Sequence, residues 1–106
     1  MPPKSLPMFS HIVIFWTDPA KPGAADELIA GVYCYLKDIP GILHFHVGRM
    51  VPSKRDVVDQ SYQVALNLVF GSKQAQDDYQ EHPRHVEFVE KVFKRVCRKV
   101  VIYDFE

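Results

Sequence analysis

The chain has 106 residues, and its 13 basic residues balance its 13 acidic ones. With 47% hydrophobic and 25% charged residues, it has the composition of one globular domain with a core of its own. That excludes a disordered chain and a nucleic-acid binder held by bulk positive charge.

No apolar run reaches the roughly 18 residues of a membrane-spanning helix. The start, Met1-Pro2-Pro3-Lys4-Ser5-Leu6-Pro7, has no apolar stretch of signal-peptide length. Residues 1–8 are expected to form a flexible arm ahead of a folded domain at 9–106. Cys34 and Cys97 are distant in sequence and lack CxxC spacing, so both are expected to be free thiols of a cytoplasmic protein.

Residues 9–16, Phe-Ser-His-Ile-Val-Ile-Phe-Trp, are β-branched and aromatic and predict a strand. Phe9, His11, Val13 and Phe15 share one face; Ser10, Ile12, Ile14 and Trp16 share the other. Asp18-Pro19-Ala20-Lys21-Pro22-Gly23 ends it. Leu28, Val32, Leu36 and Ile39 then recur at helical spacing, predicting a helix over 24–38. Asp26 and Glu27 suit its first turn, and Pro40-Gly41 closes it.

A second strand is predicted at 42–48, with Leu43, Phe45 and Val47 on one face and Ile42, His44 and His46 on the other. Residues 49–60 read as an exposed loop. A third strand follows at 61–70, its apolar face formed by Tyr62, Val64, Leu66, Leu68 and Phe70. After Gly71, Ser72 suits a helix N-cap, and a short helix is predicted at 73–80. His82-Pro83 interrupts it, since the residue before proline is pushed out of helical geometry. A further helix over 84–96 carries His85, Phe88, Val89, Val92 and Val96 on one face. The last strand, 99–105, places Val100, Ile102 and Asp104 together.

The order β-α-β-β-α-β predicts an α+β, ferredoxin-like fold: a four-stranded antiparallel sheet in the order 4-1-3-2, with helices on one face. The other face would expose Ile12, Ile14, Trp16, Val69, Val101, Tyr103 and Phe105. A patch of that size predicts a homodimer through the open sheet face.

The run Asp78-Tyr79-Gln80-Glu81-His82-Pro83-Arg84-His85-Val86 is similar to the Tyr-x-x-His-Pro-x-His motif of the stress-responsive A/B barrel domain family, Dabb. His11 opening strand one, Ile39-Pro40-Gly41, Val47-Gly48 and Val101-Ile102-Tyr103-Asp104-Phe105 extend the resemblance over nearly the whole chain. It implies a dimeric α+β barrel. The family includes a plant polyketide cyclase, olivetolic acid cyclase, which closes a linear tetraketide thioester by an intramolecular aldol step without metal or cofactor. Its catalytic histidine and tyrosine fall on His85 and Tyr79, its first-strand histidine on His11, and its last-strand aspartate on Asp104. A third-strand histidine of its pocket falls on Val64, and the family's Gly-Tyr before strand three is Ser61-Tyr62 here.

The resemblance thus implies a site for a small, mostly apolar carbonyl compound. His85 would act as base and Tyr79 as oxyanion donor, with His11 and Asp104 as an orienting pair. Val13, Phe15, Tyr62, Val64 and Phe88 would line it. Cofactor-free cyclase-like or isomerase-like chemistry is one expectation; a non-catalytic stress-associated dimer is the other. The spacings His82/His85 and His44/His46 could hold a metal, but neither has a Cys, Asp or Glu at ligand spacing, and no metal is expected. No GxGxxG or GxxxxGK loop and no nucleophile elbow occurs, which sets aside nucleotide binding, phosphoryl transfer and serine hydrolysis.

Overall fold

The structure is a computed structural model that describes residues 7–106; most of the expected N-terminal arm therefore lies outside the described residues. Four strands, β1 (Phe9–Thr17), β2 (Ile42–Arg49), β3 (Val64–Phe70) and β4 (Cys97–Phe105), form one antiparallel sheet in the order β2-β3-β1-β4. The fold is α+β, with the strand order expected from the sequence.

The first helical segment is α1 (Ala24–Gly31), continued by a π-helical turn over Val32–Leu36. Gly23 starts it at φ 78°, a left-handed conformation that favours glycine, and Asp26 and Glu27 occupy the first turn. The regular helix is shorter than the 24–38 predicted. A π turn widens the last part, and Gly41, at φ 98°, turns the chain into β2. Next comes α2 (Lys73–Glu81), capped by the Ser72 hydroxyl, which accepts from the Ala75 N–H at 3.1 Å.

His82 is extended (ψ 138°), as its place before proline requires. It ends α2 and caps α3 (Pro83–Phe88), its Nδ1 accepting the Arg84 N–H at 3.1 Å. A second π turn, Val89–Phe93, and a last α turn, Lys94–Val96, lead into β4.

The core lies between the sheet and these helices. Phe9, Val13 and Phe15 of β1, Leu66, Leu68 and Phe70 of β3, and Leu28, Val32, Leu36, Phe88, Val92 and Val96 of the helices fill it. α1 packs closely against the second π turn beside it. A Cβ added at Gly31 would lie 2.7 Å from a Val92 methyl, so only glycine fits there without displacement.

Two local expectations are corrected. In β2 the register shifts between Ile42 and His44, leaving Leu43 as the unpaired residue of a bulge and 69% exposed. Ile42, not Leu43, packs on the core with Phe45 and Val47, because one extra residue inverts the alternation on its N-terminal side. In β1 a second irregularity falls between Trp16 and Thr17. Trp16 is already buried within the chain: its indole N–H donates to Ser61 Oγ at 3.1 Å, and the Lys99 ammonium sits 4.4 Å over the ring. It therefore drops out of the open apolar face, which keeps Ile12, Ile14, Val69, Val101, Tyr103 and Phe105.

Candidate active site

The register of β1 against β4 pairs His11 directly with Asp104, which puts the two side chains on one face. His11 Nδ1 lies 2.5 Å from Asp104 Oδ1, with side chains 3% and 40% exposed. An ionised carboxylate only accepts hydrogen bonds, so Nδ1 carries the proton and donates. The pair expected from the strand order is therefore formed, with the histidine inside and the carboxylate at the edge.

Tyr79 ends a turn of α2 beneath His11. Their ring centroids are 5.9 Å apart and edge-to-face, and Phe70 packs beside both, 5.2 Å from the tyrosine ring and 6.4 Å from the imidazole. The His82-Pro83 junction then reverses the chain so that His85 returns over Tyr79, edge-to-face at 4.9 Å. Without that break an unbroken helix would carry residue 85 around to another side. Arg84 fixes the junction to the end of the first helix: its guanidinium donates to the Tyr35 carbonyl at 3.1 Å and also to that of Cys34.

Burial pushes the Tyr79 phenol well above its ordinary range. No hydrogen bond contributes to that shift, and among the described residues no fully enclosed side-chain polar atom lacks a partner. The hydroxyl thus stays protonated and keeps access to the adjoining space. His85 is pushed down to about 4, first by burial and then by repulsion from His11. It is neutral near pH 7. Desolvation, which penalises the charged form, is the main cause.

These groups border one cavity of about 190 Å³. Its walls include His11, Tyr79, Gln80 and His85 on the polar side and Val13, Phe15, Leu36, Leu66, Phe88, Phe93 and Ile102 among the apolar ones. Among the described residues no lysine or arginine lines it. Both π turns contribute to the wall, through Leu36 and through Val89 and Phe93. Of the residues expected to line a substrate site, Val13, Phe15 and Phe88 do so. Val64 is buried in the core and Tyr62 is half-buried ahead of β3; neither borders the cavity.

Gln80 joins the site without having been expected from the sequence. Its side-chain NH2 lies 3.3 Å from His85 Nε2, and its Oε1 accepts from Gln76 at 3.1 Å. The signal was the spacing: glutamines at i and i+4 share a helix face, and Gln80 adjoins the motif tyrosine. His44 and His46 sit away from the cavity, on the exposed face of β2. Among the described residues no three His, Cys, Asp or Glu groups cluster closely enough to hold a metal. Cys97 is held as a neutral thiol, burial pushing it up to about 11.

The model of the stress responsive A/B barrel domain, Dabb, matches residues 9–106. The chain belongs to the stress-responsive A/B barrel domain family. It is 30% identical over 97 residues to the stress-response A/B barrel domain-containing protein HS1 of Arabidopsis thaliana, covering 91% of this chain and 86% of that protein. Among solved structures it is similar to a dimeric ferredoxin-like protein of unknown function from Jannaschia sp., with 23% identity, a TM-score of 0.72, and 93% and 98% of the two chains covered. It is also similar to the hydroxynitrile lyase of Passiflora edulis, with 18% identity, a TM-score of 0.79, and 95% and 94% covered. Likeness at these identities establishes the fold. No helix among the described residues is long and apolar enough to cross a membrane.

Proposed function

We propose that this family member binds a small, neutral, mostly apolar carbonyl compound and moves a proton next to the carbonyl without a cofactor. One observation carries the reading. A protonated Tyr79 and a neutral His85 stand in edge-to-face contact at 4.9 Å on the wall of an open cavity. A neutral imidazole is the form that accepts a proton near pH 7. A phenol without a protein partner is the form that donates to an enolate or alkoxide oxygen. His11, with its tautomer fixed by Asp104, orients the polar wall from the sheet side.

Size and lining narrow the substrate. An apolar cavity of about 150 Å³ holds benzene, so about 190 Å³ suits an aldehyde or ketone of similar bulk. The space falls short of the usual ligand-pocket range of roughly 300–1,000 Å³. A tetraketide thioester would exceed it, and among the described residues the wall offers no lysine or arginine for an anionic carrier group. Two of the four residues the motif specifies, His82 and Pro83, hold the helix junction, and Arg84 between Pro83 and His85 clamps it. That favours a second reading, a dimer that binds such a compound without turning it over.

The protein is proposed to act as a homodimer through the open sheet face, where Tyr103 and Phe105 are each 59% exposed. Solved neighbours described as dimeric support this. Its two unpaired cysteines suit the reducing cytoplasm.

The test is exchange of the hydrogens next to the carbonyl against D2O, followed by NMR over a series of small aldehydes and ketones. The wild type is expected to catalyse exchange for some of them, His85→Ala to lose it, and Tyr79→Phe to lose about 100-fold. Exchange that survives His85→Ala refutes the assignment. Saturable binding with no exchange across the series selects the non-catalytic reading.

A further inference from the structure

The cavity's polar wall holds one group that the proposed chemistry does not use. Gln80 stands at the mouth, exposed on its outer side, with its amide between Gln76 and His85. Gln76 is buried, and its NH2 donates to Gln80 Oε1 at 3.1 Å. That bond leaves the Gln80 NH2 facing His85 Nε2 at 3.3 Å. An amide nitrogen donates and does not accept. A contact between it and a ring nitrogen therefore requires the ring nitrogen to be bare. The proton of the neutral imidazole is then on Nδ1, the less common form for a histidine in water.

We propose that Gln80 is the positioning residue of His85, and that the Gln76–Gln80 pair selects Nε2 as the nitrogen that accepts a proton. Its consequence for turnover rests on the acid/base reading of the cavity; the tautomer does not. During reaction a substrate C–H bond would break and its proton would pass to Nε2, with the electron pair remaining on the substrate as the enolate. The Gln80 N–H withdraws from Nε2 at that step. Before it, the amide holds the ring against rotation on Tyr79 and keeps the lone pair toward the mouth, where substrate enters. The family resemblance points to Tyr79, His85, His11 and Asp104 and gives Gln80 no role. The geometry adds the side chain that sets which face of the histidine is active.

The experiment is two-bond ¹H–¹⁵N correlation NMR on protein carrying ¹⁵N-labelled histidine, near pH 7, with the His85 signals assigned by their loss in His85→Gln. The wild type is expected to show a protonated Nδ1 and a bare Nε2. Gln80→Leu should return the ring to the Nε2–H form, and Gln80→Glu should protonate Nε2 by offering it an acceptor. The signals of the other four histidines report whether each variant keeps the fold. Gln80→Asn, too short to reach, repeats the test if leucine perturbs the mouth. With an active carbonyl compound, Gln80→Leu should lower kcat about tenfold and leave KM nearly unchanged, part of the roughly 10²–10⁴ a positioned base supplies.

A protonated Nε2 in the wild type, or an unchanged tautomer in both Gln80→Leu and Gln80→Asn, overturns the proposal even if turnover is found. A bare Nε2 that Gln80→Leu reverses sustains it even if no compound is turned over, in which case only the acid/base reading falls.

Discussion

The neutral state of His85 has a thermodynamic consequence that needs no substrate. In the unfolded chain the imidazole titrates at its ordinary 6.5, and in the fold at about 4. Its folded value is the lower one. Above pH 6.5 both states hold a neutral ring and the group contributes nothing to the pH dependence. As pH falls through 6.5 toward 4, the unfolded chain takes up the proton and the folded one does not, so stability is lost over that window. Between pH 7.5 and pH 5 the full effect would be about 2 kcal/mol. The ring is partly open to the cavity, and solvent there reduces the expected loss to about 1 kcal/mol. For a domain of this size that is a fall in melting temperature of roughly 4–8 °C. His85→Gln keeps a polar side chain and removes the titration. The assay compares urea or thermal unfolding of wild type and variant at both pH values, at one fixed protein concentration because a dimer's stability depends on it. The wild type should lose about 1 kcal/mol more than His85→Gln. Equal losses in the two proteins would refute the buried neutral imidazole, and with it the base assigned to this site.

Gly31→Ala should destabilise by about 1–3 kcal/mol through overpacking, because the new methyl would meet Val92 at 2.7 Å. Val92→Ala in the same chain should recover at least ~0.5 kcal/mol relative to additivity, as read from denaturant midpoints. Phe88→Ala removes a buried cavity wall and should cost about 3–5 kcal/mol while admitting bulkier ligands, measured by melting with and without them. Asp104→Asn takes the charge from the His11 partner; unfolding at pH 7 should show a loss of about 1.5–3 kcal/mol, and a neutral result would mean solvent replaces the carboxylate fully.

Strand order and the sides the strands present were legible because period-two alternation is a local property that burial enforces. Phe9, His11, Val13 and Phe15 could face only the helices once the opposite set was left uncovered, and the pairing of His11 with Asp104 followed from the 4-1 adjacency. The errors lie where one residue was added to a ladder. Leu43 is a large apolar side chain that alternation assigns to the core. The bulge that expels it is set by how β2 must register with Val69 and Phe70 of β3, a relation no window of β2 contains. Trp16 was misplaced for a similar reason. Its cover comes from Ser61 and Lys99, remote in sequence, and apolar character alone does not reveal that a ring is already sheltered.

The site was legible in its parts and not in its dimensions. The His-Pro break between Tyr79 and His85 announces a reversal, because proline forbids the helix from continuing, and a reversal of that length returns the second side chain toward the first. What it cannot announce is how much space remains beside them. That depends on the walls, to which the two π turns contribute Leu36, Val89 and Phe93. Neither turn has a local sequence signature comparable to a capping box or a glycine stop. The direction of the Gln80 amide is hidden in the same way, since it is read only from its contacts with Gln76 and His85 in the folded chain. Residue types thus disclose which chemistry is available near a junction, and the packing of remote segments decides which substrate size and which nitrogen that chemistry can use.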